Sequence, residues 1–424
     1  MGIYASGNML SFQRMHFLVV VFYFFYITFI GPYKYVLISS SLSPLLYAPQ
    51  LMMALVVLFY VLQSRGNLTI TILVIVLLSS VTVGILHSLK VLQIVLGLYV
   101  WLPVLFGIFS LEIMHRRKEF FLKLFPLLLA LTGLGIVLDW IYILPWGDIE
   151  YEVGGEVVQA TRGGGYLGVK RAAGFSGFHW TAASLALFYG IFICSLSQAN
   201  KLYLVAIWCL VGMIVFITMA KGIIVAYLLV TLVYLSKSIM RIWMLKAGMG
   251  LVIVMGFTMP ILASFYKIDS GGKAETVFDF FTYTLFTRIG QWWPYMLDII
   301  LNNSSVVLGR GLGSFGAASI RYEQVLPASG DNIYLYLWAN LGIPGLLFFI
   351  AGCVIYLLVF RLVSKWDRFI SMLFLTIITY GVIVNVIEFG IFGFAFGLVV
   401  SYFVQYKKIN AVEISKCILK KEGA

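Results

Sequence analysis

The chain of 424 residues is 62% hydrophobic and only 11% charged. Soluble globular domains carry about 25% charged residues, so the composition excludes an ordinary soluble domain and indicates a surface that faces lipid. The formal net charge of +12 does not indicate nucleic-acid binding, because the Lys and Arg residues lie between apolar runs, where they set topology and meet lipid headgroups.

Apolar runs of transmembrane length follow one another along the chain. Since a membrane-spanning helix needs about 20 such residues, they predict a single all-α polytopic membrane domain over residues 1–424, with about twelve transmembrane helices. The first run is long enough to act as an uncleaved anchor. The predicted spans are 16–36, 44–63, 68–86, 91–112, 120–144, 180–197, 201–219, 222–238, 247–266, 343–362, 369–388 and 390–406.

Short basic connections set the predicted orientation. The positive-inside rule places them, and both termini, in the cytoplasm. The segment 407–424 is then a basic cytoplasmic tail, and the long segments 145–179 and 267–331 form two large loops on the outer side. The predicted cytoplasmic residues include Arg14, Arg65, Arg116, Arg117, Lys118, Lys201, Lys237, Arg241, Lys246, Arg361, Lys365 and Arg368.

The four cysteines, Cys194, Cys209, Cys353 and Cys417, lie outside both outer loops. No disulfide framework is therefore expected in those loops. The cysteine spacing fits no metal site, and no cluster of metal-ligand residues occurs in either loop.

Each outer loop contains a segment with a predicted structure. In the first loop, 148–153 and 156–161 are short β-prone segments around Gly154 and Gly155, a pattern that predicts a small hairpin. In the second loop, 276–301 is rich in aromatic residues at helical spacing, and we expect it to lie along or dip into the membrane interface.

Several arginines are predicted on the outer side, among them Arg171, Arg288, Arg310 and Arg321. An arginine at the bilayer surface commonly anchors to headgroups. The positive-inside rule, however, disfavours so many basic residues there. Because a guanidinium group binds phosphate oxygens in bidentate geometry, a phosphate-binding function at the outer leaflet would explain them.

Glycine and polar residues mark the end of the second loop. Residues 308–315 read Leu-Gly-Arg-Gly-Leu-Gly-Ser-Phe. No predicted strand precedes this segment, so a nucleotide-binding loop is excluded. The alternative is a flexible or tight turn, which glycine permits. Asp331-Asn332 is placed to cap the next helix. Gly-Ile-Pro-Gly at 342–345 then breaks one helix and starts another.

Together these segments resemble the Wzy/WaaL superfamily, which contains O-antigen polymerases, O-antigen ligases and related lipid-linked-glycan transferases. The resemblance includes the glycine turn, the Asp-Asn-x-Tyr-Leu segment and the helix start that follows it. It also includes an Arg-x-x-x-Trp pattern, an Arg-x-x-Gly-Phe segment and a Thr-Met-Ala-Lys-Gly segment where the family often has Ser-x-Ser-Arg-Gly. The matching segments are 171–175, 218–222, 287–292, 308–315, 331–335 and 342–347.

The resemblance implies an inverting, metal-independent glycosyltransferase without a cofactor, at the outer face of the bacterial plasma membrane. The donor would be an oligosaccharide on undecaprenyl diphosphate, and the acceptor would be a sugar hydroxyl. Further partners would be membrane lipid and a chain-length regulator protein, and no nucleic-acid partner is implied. The implied diphosphate-binding residues are Arg171, Lys221, Arg288 and Arg310, with Arg288 also assigned to catalysis. Asp331 is the candidate base and His179 the alternative.

Two positions depart from the family pattern and leave alternatives open. Ligases of the superfamily usually have His where this chain has Asp331, which favours a polysaccharide polymerase over a ligase. Lys221 replaces an Arg. A transporter or flippase is the alternative from another class, although its substrate site would need polar residues within the spans. Asp139 and Glu388 lie near the outer ends of predicted spans, where ionisable residues are functional candidates, but neither is assigned a role.

Overall fold

The computed structural model describes residues 3–63, 68–147, 149–153, 156–159, 161, 164–166, 169–265, 285–303, 306–322, 331–359 and 364–405. The predicted tail 407–424 lies outside these residues, as does much of the second predicted outer loop, including 276–284. Within the described residues the protein is all-α apart from two small β-hairpins.

The helices account for nearly all of the described chain. They are α1 (Ile3–Thr28), α2 (Ile30–Ser39), α3 (Ala48–Gln63), α4 (Leu68–Leu86), α5 (Val91–Arg116), α6 (Lys118–Ile141), α7 (His179–Leu196), α8 (Lys201–Ile217), α9 (Lys221–Leu235), α10 (Ser238–Phe265), α11 (Trp293–Asp298), α12 (Ala317–Tyr322), α13 (Ile333–Val359), α14 (Lys365–Gly381) and α15 (Gly390–Gln405). Short 3₁₀ helices cover Ser43–Tyr47, Gly174–Ser176 and Val386–Glu388, and π-helical turns cover Arg288–Trp292 and Ile299–Asn303 on either side of α11.

The predicted hairpin of the first loop is confirmed. Strands β1 (Glu150–Val153) and β2 (Glu156–Gln159) pair antiparallel. A second antiparallel pair, β3 (Gly164–Tyr166) and β4 (Val169–Arg171), follows it. The second hairpin ends at Arg171, so its last residue is the first residue of the Arg-x-x-Gly-Phe segment.

Six helices of the described residues are long and apolar enough to cross a membrane, or seven if one bent pair counts as a single span. Every predicted apolar run overlaps at least one helix of the described residues. Several of those helices are shorter than the roughly 20 residues of a typical span: α8 has 17 residues, α9 has 15 and α14 has 17. The structure thus gives an all-α protein with several candidate spans, and the number of about twelve stays a prediction.

The predicted span 16–36 is not a single straight helix. It divides into α1 and α2, whose axes differ by 83°. The Thr28 hydroxyl bonds the Phe24 carbonyl at 2.7 Å and the Tyr189 hydroxyl at 2.9 Å at this bend. Beyond the bend, Gly31 packs so closely that a Cβ there would lie 2.6 Å from the Trp146 ring. Tertiary packing therefore sets the bend, and α2 packs against residues of the first loop.

The predicted break at 342–345 is confirmed inside α13. Gly342 has φ +69° and ψ −164°, which a residue with a side chain rarely adopts. The amide of Ile343 donates to the Val307 carbonyl at 3.0 Å instead of continuing the helical pattern. A segment before the glycine turn thus supplies the acceptor at this kink.

Helix α7 lies at the centre of the bundle, because 83% of its residues are buried, against 28% for Ser43–Gln63 and for the span within α10. Basic residues predicted to be cytoplasmic meet at one end. Lys365 donates to the Ser197 carbonyl at 3.2 Å and lies within electrostatic reach of Lys118 and Arg368. The candidate site lies at the opposite ends of α7 and α14, about 25 Å away along a 17-residue helix.

Candidate functional site

Arg171 is positioned by a carboxylate that anchors the residues after it. Asp139, near the end of α6, accepts the backbone N–H groups of Ala173 at 2.7 Å and Gly174 at 2.9 Å. Its other oxygen lies 3.5 Å from the Lys170 ammonium. Asp139 therefore fixes the backbone after Arg171 and pairs with the side chain of the residue before it, and its role here is structural.

The Gly-Phe part of this segment packs tightly on α6. Gly174 has φ +59°, and a Cβ there would lie 2.8 Å from backbone atoms of Gly135. The Trp146 indole N–H donates to the Gly174 carbonyl at 2.9 Å, and the Phe175 ring stacks on Phe29 with centroids 5.4 Å apart. These contacts hold the end of the first loop against the bundle, with Arg171 half-buried beside it.

Lys221 comes from a different part of the chain, the turn between α8 and α9. Met219 in this turn has φ +53°, and Lys221 is the first residue of α9. Burial, together with the positive charges of Arg171 and Arg288, lowers the pKa of its ammonium group to about 8. Arg171 and Arg288 therefore both lie within electrostatic reach of Lys221.

Arg288 is the third cation and comes from the second loop. It starts a π-helical turn, a distortion that is frequent at functional sites, and its guanidinium carbon lies 5.5 Å from the centre of the Trp292 ring. A guanidinium nitrogen of Arg288 lies 3.1 Å from a carboxylate oxygen of Asp331, and the two side chains are only 15% and 12% exposed. The pair is thus largely shielded from water.

Asn332, not Asp331, caps the helix that follows. Its side-chain oxygen accepts the amides of Tyr334 at 2.8 Å and Leu335 at 3.1 Å. Its side-chain nitrogen donates to the carbonyls of Gly256 at 3.0 Å and Val382 at 2.9 Å. This fully buried amide joins α10, α13 and the residues after α14, and leaves the neighbouring Asp331 carboxylate directed to Arg288.

The glycine turn is a packing element. A Cβ on Gly311, at φ +95°, would lie 2.3 Å from the Gly84 nitrogen, and one on Gly313, at φ +85°, would lie 2.3 Å from the Gln93 carbonyl oxygen. The Gln93 side chain donates to the Gly313 carbonyl at 2.9 Å. Only glycine permits this conformation at such close approach. The structure thus shows a tight glycine turn, and its packing against α4, α5 and α13 was not predicted.

Glu388 is an acidic group that the sequence left without a role. The predicted span 369–388 is not one helix that reaches Glu388. Helix α14 ends at Gly381, and Glu388 is the last residue of the short 3₁₀ helix before α15. Its carboxylate accepts the Ala317 amide at 2.8 Å. Burial and the nearby negative charge of Asp331 raise the pKa of Glu388 to about 7, against the effect of the Ala317 hydrogen bond.

Aromatic side chains line the approach to the cluster. Tyr380, the penultimate residue of α14, lies within electrostatic reach of both Arg288 and Asp331, and its ring centroid is 5.7 Å from that of Phe389. The Phe389 ring in turn meets Trp180 at 6.1 Å. Tyr380 therefore connects the ion pair to a run of aromatic rings.

The structure brings together four of the six residues that the sequence singled out: Arg171, Lys221, Arg288 and Asp331. Arg310 is half-buried on the glycine turn, where its amide donates to the Ala339 carbonyl at 2.8 Å. His179 is the first residue of α7, with its ring 4.6 Å from that of Trp180. The side chain of Arg321 lies outside the described part of the chain.

Comparison of the chain with protein-family models, with curated proteins and with solved structures found no match. Among the residues that the structure describes, no group of three or more His, Cys, Asp or Glu side chains lies close enough together to hold a metal ion. The site is therefore interpreted from its geometry. Three cations and two carboxylates in a partly shielded cluster can bind a polyanion and accept a proton.

Proposed function

We propose that this protein is a surface-polysaccharide polymerase of the O-antigen type, which joins undecaprenyl-diphosphate-linked repeat units at the outer face of the bacterial plasma membrane, with both termini in the cytoplasm. The observation that carries the proposal is the convergence of Arg171, Lys221 and Arg288 from three separate segments of the chain. Like charges repel, and the Asp331 carboxylate offsets part of this repulsion through its ion pair with Arg288, so a bound anion would stabilise the cluster further.

A lipid diphosphate fits this cluster in charge and in position. Arginine side chains bind phosphate oxygens in bidentate geometry, whereas Lys221 supplies a point charge. In a site with a low dielectric constant these groups also stabilise the charge that develops on a departing diphosphate. Each of the three cations is therefore assigned to the leaving group, and the glycan would extend towards the aromatic side chains around Tyr380 and Phe389.

The proposed reaction is an inverting transfer. A hydroxyl oxygen of the acceptor sugar attacks C1 of the donor sugar, the C1–O bond to the diphosphate breaks, and its electron pair passes to the diphosphate. The acceptor proton passes to a carboxylate of the site, for which Asp331 is the candidate from the sequence. The released lipid diphosphate then leaves the cluster.

The experiment is Arg288→Ala in a strain that lacks the wild-type gene. We expect normal expression and membrane insertion, and surface lipopolysaccharide that carries a single repeat on gels. Arg116→Ala is the matched control, because Arg116 is 57% exposed and pairs with Glu112 within α5, far from the cluster. A wild-type ladder from Arg288→Ala would overturn the role of Arg288, and bare lipid core would indicate a ligase instead.

A further inference from the structure

The site holds two carboxylates, and they have different environments. Asp331 lies 3.1 Å from the Arg288 guanidinium, so its carboxylate is engaged in an ion pair. Glu388 instead accepts a neutral backbone amide, that of Ala317, at 2.8 Å. Two carboxylates held in different environments commonly divide the roles in a catalytic site.

The position of Glu388 is fixed by packing from several elements. A Cβ on Gly316 would lie 1.8 Å from a Glu388 carboxylate oxygen, so the carboxylate packs directly against this glycine. Asn385 starts the 3₁₀ helix by accepting the Ile387 amide at 3.2 Å. The next residue in the chain, Phe389, packs on Tyr380 beside the ion pair.

We propose that Glu388 is the general base of the transfer and that Asp331 is a positioning residue, which holds Arg288 and places a negative charge near Glu388. The Glu388 assignment rests on the proposed function of the cluster. The acceptor hydroxyl gives its proton to the Glu388 carboxylate as its oxygen bonds to C1. The electron pair of the old C1–O bond leaves with the lipid diphosphate, and Glu388 then releases the proton to water.

The electrostatic surroundings agree with this role. A general base works best when its pKa lies near the working pH, and burial with the charge of Asp331 raises the pKa of Glu388 to about 7. The titratable groups that face Glu388 are Asp331 and, from α13, Tyr336. The Glu388 residue nevertheless keeps some solvent exposure.

The test uses purified full-length protein in proteoliposomes, with a lipid-linked repeat unit added on the outside and chain elongation measured from pH 5 to 9. Glu388→Gln should lower turnover by about 10²- to 10⁴-fold, the usual effect of losing a general base. Gln can still accept the Ala317 amide, so we expect unchanged thermal stability and unchanged binding of undecaprenyl diphosphate. Glu112→Gln is the control, since Glu112 is 54% exposed on α5.

Asp331→Asn separates the two carboxylates. If Glu388 is the base, this variant keeps measurable turnover, and its acidic limb moves to lower pH because the charge that raises the pKa of Glu388 is gone. Wild-type turnover in Glu388→Gln would exclude Glu388 as the base, and complete loss of turnover in Asp331→Asn would assign the base to Asp331 instead. If the wild-type protein neither elongates chains nor binds the diphosphate, the proposed function itself fails.

Discussion

Asn332 is the residue whose replacement tests the architecture of the site most sharply. The Asn332→Ala variant removes two hydrogen bonds accepted by the side chain and two that it donates, in a fully buried position. Loss of a helix cap costs about 1 kcal/mol, and each buried carbonyl left without its donor costs about 1–3 kcal/mol. We therefore expect a destabilisation of about 4 kcal/mol, enough to lower the thermal transition by several degrees.

The assay is thermal unfolding of the detergent-solubilised protein, followed by size-exclusion chromatography of the soluble fraction. Asn332→Ser should recover the cap and lose only the bonds to Gly256 and Val382, so its stability should lie between those of the wild type and Asn332→Ala. Asn302→Ala is the control, because Asn302 is exposed and bonds only within its own helical segment, to Asp298. If Asn332→Ala is as stable as Asn302→Ala, the amide does not join the helices as described.

Two further predictions concern packing and charge. Gly311→Ala should destabilise the protein by about 3 kcal/mol, since it combines left-handed backbone strain with contact against backbone atoms of α4. Gly250→Ala is the control and should leave the thermal transition unchanged or raise it, because no atom lies within 4 Å of a Cβ at that position. Equal shifts of the thermal transition in the two variants would contradict the close approach of Gly311 to α4. The affinity for undecaprenyl diphosphate, measured by titration from pH 7 to 9.5, should fall above about pH 8, where Lys221 loses its charge. This fall should be absent in Lys221→Arg, because arginine stays protonated. An identical pH dependence in the wild-type protein and in Lys221→Arg would remove Lys221 from the binding site.

Local features of the fold could be predicted from the sequence because each depends on a few neighbouring residues. The β-prone segments around Gly154-Gly155 predicted the first hairpin, and the Gly-Ile-Pro-Gly segment predicted the break at Gly342. The helix cap was predicted at Asp331-Asn332, and the structure assigns it to Asn332. In each case the backbone requirement of glycine, or the side-chain oxygen of a cap, acts over only a few residues.

Features that depend on distant contacts could not be predicted in the same way. The bend after Thr28 is set by packing against Tyr189 and Trp146, which composition does not reveal. The apolar run 369–388 predicts an unbroken span, whereas the helix ends at Gly381. The sequence signal for this break is weak: the Asn385 side chain competes with the helix for a backbone amide. The sequence identifies Glu388 as an ionisable residue in that run, but its proximity to Asp331 can be seen only in the tertiary structure.

The convergence of the cations was predicted in part. The residue types and motif positions singled out Arg171, Lys221 and Arg288, whereas the anchoring of Arg171 by Asp139 and the ion pair between Arg288 and Asp331 follow only from tertiary structure. Asp139 had been a functional candidate on its position near the end of a span. Its two backbone hydrogen bonds give it a structural role instead.

The most direct test of the central proposal is the affinity of the purified protein for undecaprenyl diphosphate and for undecaprenyl monophosphate, measured side by side by native mass spectrometry. We predict a clear preference of the wild-type protein for the diphosphate, reduced about tenfold or more in Arg171→Ala and Arg288→Ala and unchanged in Arg116→Ala. Equal affinity of the wild-type protein for the two lipids, or a preference that survives the loss of either arginine in the cluster, would contradict it.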